Sequence, residues 1–110
     1  MSDRMPKVDE LIKRELGQII AKEIEFPLNT LATITRVETL PDLKQAKVFI
    51  SVFPVSEQQR VIRILSGKAN ELVRLLNKKV ILRIIPKLNF LIDDLEEKAA
   101  EIDRLLDNLK

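Results

Sequence analysis

One short stretch constrains this chain more than any other. From Lys44 to Phe53 the residues alternate: Ala46, Val48, Ile50 and Val52 point one way, Lys47, Phe49, Ser51 and Phe53 the other. Strict period-two alternation is the signature of a β-strand. A lone strand cannot bury such a face, so partner strands and a cover of helices are required. The first partner lies just upstream, where Ala32 to Thr39 is dense in β-branched residues (Thr33, Ile34, Thr35, Val37, Thr39). Leu40-Pro41-Asp42-Leu43 has turn chemistry, which makes the two strands an antiparallel hairpin.

The cover is visible in segments of a different period. Val8, Leu11, Ile12, Leu16, Ile19, Ile20 and Ile24 recur at spacings that place them on one stripe of a helix from about Pro6 to Ile24. Gly17 interrupts this pattern, and close packing of the helix on a strand would account for it. Phe26-Pro27-Leu28-Asn29 ends the helix. Beyond Pro54, Ser56 is placed to cap a helix with Gln59 as its capping-box partner. Glu57 to Leu65 then carries Val61, Ile62 and Leu65 inward. Ser66-Gly67 is expected to interrupt, and Ala69, Leu72, Val73 and Leu76 resume helical spacing to about Lys78. Val80 to Ile92 reads as an irregular strand broken at Pro86, and Asp93 to Lys110 returns to helical spacing.

The resulting order, α-β-β-α-α-β-α, places a crossover between the second and third strands, which are therefore expected to be parallel. The prediction is an α+β fold: a three-stranded mixed sheet with helices mainly on one face. Phe49 and Phe53 are expected to be covered by a helix, although aromatics beside Lys47 could also stack bases.

Chemistry is sparse. None of the 110 residues is His or Cys, which removes the commonest general base, the commonest metal ligand and any thiolate nucleophile. With only Gly17 and Gly67 there is no glycine-rich phosphate loop. Ser51, Ser56 and Ser66 have no His to activate them. Asp93-Asp94 with Glu96-Glu97 is better read as acids at a helix start than as a metal site or acid/base pair. An enzyme is not expected, nor a metal, cofactor or small-molecule substrate. Met1-Ser2-Asp3-Arg4 leads into no apolar segment, and no apolar run approaches the ~20 residues of a membrane span. The expectation is a soluble, cytoplasmic monomer that does not engage membranes.

Charge carries more information. The net charge is only +2, yet residues 1–92 hold 16 basic and 10 acidic side chains, and residues 93–110 hold 3 and 7. We therefore treat 1–92 as the binding unit and 93–110 as an acidic helical tail of the same domain. Between Arg60 and Lys87 stand Arg60, Arg63, Lys68, Arg74, Lys78, Lys79, Arg83 and Lys87 against the single acid Glu71. Such a patch suits phosphate. The candidate RNA contacts are Arg63, Lys68, Arg74, Lys78, Lys79, Arg83 and Lys87, with Asn70 capping a helix or touching a base, and Lys44 and Lys47 extending the surface.

The α-β-β-α-α-β order with a basic turn between paired helices resembles the type II KH domain, which clamps single-stranded nucleic acid with a GxxG loop. Here that position reads Gly67-Lys68-Ala69-Asn70, without the second glycine. A narrower resemblance runs from Arg4 to Leu106. It is carried by Arg4-x-x-Lys7-Val8, Arg14-Glu15-Leu16, Pro41-Asp42-Leu43-x-x-Ala46-Lys47-Val48-Phe49-Ile50-Ser51-Val52, Leu82-Arg83-Ile84-Ile85-Pro86-Lys87-Leu88-x-Phe90 and Ile102-Asp103-x-Leu105-Leu106. In order and spacing these are similar to the ribosome-binding factor A family. The chain departs from that family at Phe26-Pro27-Leu28, where an Asp-Pro-Arg is usual, and at Lys68-Ala69-Asn70, where an Ala-x-Gly kink is usual. The resemblance implies a factor that binds the immature 30S ribosomal subunit and assists late 16S rRNA processing by binding RNA. Two alternatives stay open: a KH-like binder of other RNA, and a protein-interaction module that uses the acidic final helix.

Overall fold

The computed structural model describes residues 6–42, 44–80 and 86–94. Its elements run in the order α1 (Pro6–Glu23), β1 (Leu31–Thr39), β2 (Gln45–Phe53), α2 (Gln58–Gly67), α3 (Ala69–Lys79) and β3 (Lys87–Ile92). A single turn of 3-10 helix, Val55–Glu57, leads into α2. Val80 closes α3 in extended conformation and Pro86 lies just before β3. The expected tail helix over 95–110 and the chain at 81–85 lie outside the described residues.

The sheet has the order β1-β2-β3, with β2 central. β1 pairs with it antiparallel, from Leu31 opposite Phe53 to Thr39 opposite Ala46. β3 pairs with it parallel, from Gln45 opposite Lys87 to Ile50 opposite Ile92. The mixed three-stranded architecture is thus the one the sequence predicts. Ala46, Val48, Ile50 and Val52 are all buried, and they meet Ile12, Leu16, Ile19 and Ile20 of α1, Val61 and Leu65 of α2, Leu72 and Leu76 of α3, and Leu88 and Phe90 of β3 in one core. All three helices serve this one side of the sheet.

The other side is left uncovered among the described residues, which corrects the expectation for the two phenylalanines. Phe53 is 69% exposed. Phe49 is half-buried, under the guanidinium of Arg36 at 3.9 Å from its ring centroid. The three helices are enough to cover one face, and β2 gives its fully aliphatic face to them.

A β-bulge in β1 explains how Arg36 arrives over Phe49. The register shifts between Ile34 and Arg36, so Thr35 is the extra residue. Before the bulge Ala32 and Ile34 pack on the core; after it Val37 and Thr39 do, and Arg36 is turned to the outer face. The Thr35 hydroxyl contacts the Phe49 carbonyl at 3.2 Å and also bonds the Asp93 carboxylate.

Three local expectations are corrected. The N-cap of α2 is Glu57 rather than Ser56, and no side chain caps it, because the 3-10 turn takes up Val55 to Glu57 and its own backbone bonds satisfy the helix entry. Ser66-Gly67 does not interrupt the helix: both continue α2, and the break falls on Lys68 alone. Gly17 does not mark a close approach, since a Cβ built there meets nothing within 4 Å. Gly17 instead faces a groove of about 600 Å³ between α1 and the outer edge of β1.

The tie between α1 and the sheet is polar. Asp9, buried in the first turn of α1, accepts the Thr39 N–H at 2.8 Å. The chain turns toward β1 through Pro27–Thr30, where the Thr30 N–H donates to the Pro27 carbonyl at 3.1 Å. Asn29 supplies the positive φ (63°) that this turn needs, a conformation Asn tolerates well.

Urea denaturation reads two stability outcomes of this arrangement. Asp9→Ala strands the Thr39 N–H and should cost about 1–3 kcal/mol, whereas Asp9→Asn, which keeps an oxygen acceptor, should cost less. Gly17→Ala, at an unobstructed helical position, should stabilise by about 0.5–1 kcal/mol. A loss of stability in that variant would mean that α1 approaches β1 more closely than described.

Candidate nucleic-acid interface

The break between α2 and α3 is a single residue. Lys68 adopts φ −104° and ψ 4°, outside helical geometry, and its N–H bonds back to the Leu65 carbonyl at 3.1 Å. Its own carbonyl accepts the Leu72 N–H at 2.9 Å, which starts α3. Lys68 is therefore the N-cap of α3, and Asn70 is the second residue of that helix. The capping role foreseen for Asn70 does not hold, and its exposed side chain projects from the first turn.

This break faces the outer edge of β3. Ser66, Gly67, Ala69 and Asn70 on one side and Lys87, Leu88, Asn89 and Phe90 on the other enclose a groove of about 370 Å³. The Lys87 N–H bonds the Lys44 carbonyl and the Asp93 N–H the Ile50 carbonyl, so odd-numbered residues of β3 direct their N–H groups to β2. Parallel-strand alternation then turns the Leu88 and Phe90 N–H groups outward, into the groove. The first N–H groups of a helix also lack an acceptor within that helix. A helix start and a strand edge thus present backbone donors across a narrow trough. Small residues at Gly67 and Ala69 keep that trough open.

The cations are arranged around it unevenly. Lys68 and Lys87 flank the groove. Arg74 and Lys78 continue from Asn70 at four-residue spacing along the exposed side of α3, and Arg63 stands one turn before Gly67 on α2. Lys79 is exposed beside Lys78 in the last turn, where both complement the negative end of the helix dipole. Lys44 adjoins Lys87 through the backbone bond between them. Lys47 is not part of this grouping: it lies on the uncovered side of the sheet, between Glu38 and Asn89 in register. Arg83 lies outside the described residues.

Glu71 is shared by two of these cations, at 3.6 Å from Lys68 and 4.0 Å from Arg74. Both cations are more than half exposed, so water screens the pairs and holds them weakly. Either can exchange Glu71 for a phosphate at little cost. Asn89, whose side-chain amide donates to Gln45 at 3.1 Å, is a groove residue that the sequence reading missed. The alternation after Pro86, with Leu88 in, Asn89 out and Phe90 in, was the signal available in the sequence.

Among the described residues no three acidic side chains converge as a metal site would require. Asp93, read in the sequence as a helix-start acid, belongs to the sheet: it bonds Thr35 and lies 3.8 Å from the Arg36 guanidinium. No helix among the described residues is long and apolar enough to cross a membrane.

Relatives share this architecture. A ribosome-binding factor A from Opitutus terrae is 36% identical over 110 residues, spanning 99% of this chain and 89% of its own length. One from Coxiella burnetii is 35% identical over 107 residues, spanning 97% and 90%. The crystal structure of ribosome-binding factor A from Thermus thermophilus superposes with a TM-score of 0.72 at 28% identity, covering 79% of this chain and 92% of that one. A homology model of the Thermus thermophilus factor, fitted into a cryo-EM map of a 30S complex, superposes with a TM-score of 0.67 at 29% identity, covering 77% and 90%. The family model for ribosome-binding factor A matches residues 4–106, and with that match the chain belongs to the ribosome-binding factor A family.

Proposed function

We propose that this protein binds the immature 30S subunit and assists late processing of 16S rRNA by holding an rRNA segment, with no catalytic step of its own. The observation that carries the reading is the groove between the Lys68 break and the outer edge of β3, with backbone donors on both walls and cations along its approaches. Backbone N–H groups at a helix start suit phosphate oxygens, and an exposed strand edge can pair with the base edges of an unstacked strand. The relative fitted into a 30S complex supports the same partner here.

In this reading Lys68, Arg74, Lys78 and Lys87 take phosphates directly, with Arg63, Lys79 and Lys44 around them, and Arg83, named from the sequence, is proposed as a further phosphate contact. Asn70 offers the side-chain amide that reaches a base; the Asn89 side chain lies on the same sheet face as Lys47 and is held by Gln45. Lys47 has no direct part, because it faces away from the groove. Residues 1–92 form the binding unit and 93–110 its acidic extension, and the protein acts in the cytoplasm as a monomer.

If about five phosphates are neutralised, log affinity for a 16S rRNA fragment should fall with log salt at a slope of about −3.5 to −4.5. Filter binding or fluorescence anisotropy across salt concentrations measures this, and a flat dependence would overturn the electrostatic mode. Arg74→Glu combined with Lys78→Glu should abolish co-sedimentation with small subunits. Both side chains are exposed, so the urea midpoint should fall only modestly, through the lost helix-end charge and the weak Glu71 pair. Unchanged co-sedimentation would place the contact elsewhere. Crosslinked RNA that proves to be messenger rather than 16S rRNA would remove the ribosomal assignment and leave a KH-like binder of other RNA.

A further inference from the structure

The sheet has a second outer edge, that of β1, and only part of it is closed. Strand parity tells which part. The Ile50 carbonyl accepts the Asp93 N–H, so Ile50 turns its backbone to β3 and its neighbour Ser51 turns to β1. Thr33, opposite Ser51, therefore faces β2, and Ala32 and Ile34 direct their N–H and C=O groups away from the sheet. The bulge at Thr35 reverses the parity. Leu40 donates to the Gln45 carbonyl, which leaves Val37 and Thr39 outward. Asp9 of α1 closes the Thr39 N–H. Among the described residues no strand pairs with Ala32 and Ile34 on their outward side.

The helix that closes this edge at one end stands away from it at the other. α1 runs back along β1, with Asp9 at Thr39 and Ile24 beside the groove that Thr30 and Leu31 also line. Val37 and Thr39 are buried, whereas Ala32 and Ile34 are only half-buried. Between these two and α1 lies the groove of about 600 Å³. The stretch of β1 along it, Thr30 to Ile34, spans roughly 16 Å at strand spacing.

The walls of this groove suit a second backbone. Its floor is apolar, from Ile20, Ile24 and Phe26, and its helix side is low, from Gly17 and Ala21 one turn apart. Glycine weakens a helix interior, yet Gly17 has neither a positive φ nor a packing neighbour that requires it. Close passage of another backbone is a use that glycine serves. The Thr30 hydroxyl, out of water at the end of the groove, has no hydrogen-bond partner among the described residues. Lys13 stands on the rim and pairs with no acid among the described residues, while Arg14 beside it holds Glu15.

We propose that this groove binds an extended peptide of a protein partner, which adds a strand to β1 at Ala32 and Ile34. Main-chain hydrogen bonds hold the peptide, and alternate apolar side chains fill the floor. An acidic side chain of the peptide meets Lys13. RNA suits the groove poorly, because the floor is apolar and Glu10 on the rim repels phosphate. The site lies on the opposite edge of the sheet from the β3 groove, so a peptide here and RNA there can be held at once.

Selection of a phage library of random heptapeptides on the full chain tests this. Enriched peptides should alternate apolar and polar residues and carry Asp or Glu. The most enriched one, synthesised and added to the ¹⁵N-labelled chain, should slow hydrogen exchange at the Ala32 and Ile34 amides and leave Leu88 and Phe90 unchanged. Gly17→Leu fills the groove from an unobstructed helical position. It should weaken that peptide by roughly tenfold or more while the urea midpoint does not fall. Lys13→Glu should weaken it too, and a Lys in place of the peptide's acid should restore binding to that variant. No enrichment over the Gly17→Leu chain, or protection at Leu88 and Phe90 instead, overturns the proposal. Slow exchange at Ala32 and Ile34 in the chain alone also overturns it: persistence on dilution means that the chain covers its own edge, and loss on dilution means a second copy. A 16S rRNA fragment that protects these two amides assigns the edge to RNA and refutes the peptide.

Discussion

The fold depends on burying one face of β2. Ala46, Val48, Ile50 and Val52 are each 6% exposed or less. Each of the larger side chains is worth about 1.5–3 kcal/mol when fully removed from water. A one-residue slip of β2 would turn all four to the opposite side, so the period of two fixes the register as well as the face. The other elements answer that requirement. The hairpin supplies β1, the crossover through α2 and α3 supplies β3 in parallel, and three helical stripes fill the inner side. Asp9 adds the directional element that apolar contact lacks, holding the first turn of α1 against the last residue of β1.

Most of this was legible because period is a local property. The stripe of α1 and the alternation of β2 needed no knowledge of the rest of the chain. The failures share a different character. Whether Phe49 and Phe53 are covered depends on how many helices reach their side, which no local pattern states. Gly17 could be explained by close packing or by nothing at all, and only the position of β1 decides. The bulge at Thr35 left a trace, since the inward positions of β1 change from even (Ala32, Ile34) to odd (Val37, Thr39). The trace is faint because Thr fits a strand on either face.

The helix break shows how close local chemistry comes and where it stops. Ser66-Gly67 is the weakest helical pair in the segment, yet the chain continues through it and breaks one residue later. Gly67 keeps a negative φ and needs none of the freedom that glycine offers. What locates the break is the pair of buried anchors on either side, Leu65 in α2 and Leu72 in α3. The helices must deliver both to the same core, and the break falls among the exposed residues between them, on Lys68. That position sets a cation at the mouth of the groove. Asn70, where the family usually has glycine, causes no conflict because its position is already helical.

The outward edge of β3 has a second consequence. Backbone groups that can pair with a nucleic-acid strand can equally pair with another protein strand, and exposed edges are where sheets stack into aggregates. β3 is only six residues long, and Pro86 immediately before it has no N–H to extend a ladder. Lys87 opens the strand with a charge, and Ser66 to Asn70 stand close along its outer side. A flat foreign strand finds too little length and too little clearance there, whereas a thin, flexible and negatively charged chain does not. In the proposed reading, the features that would make this edge a receptor for RNA are the ones that keep it from recruiting copies of itself.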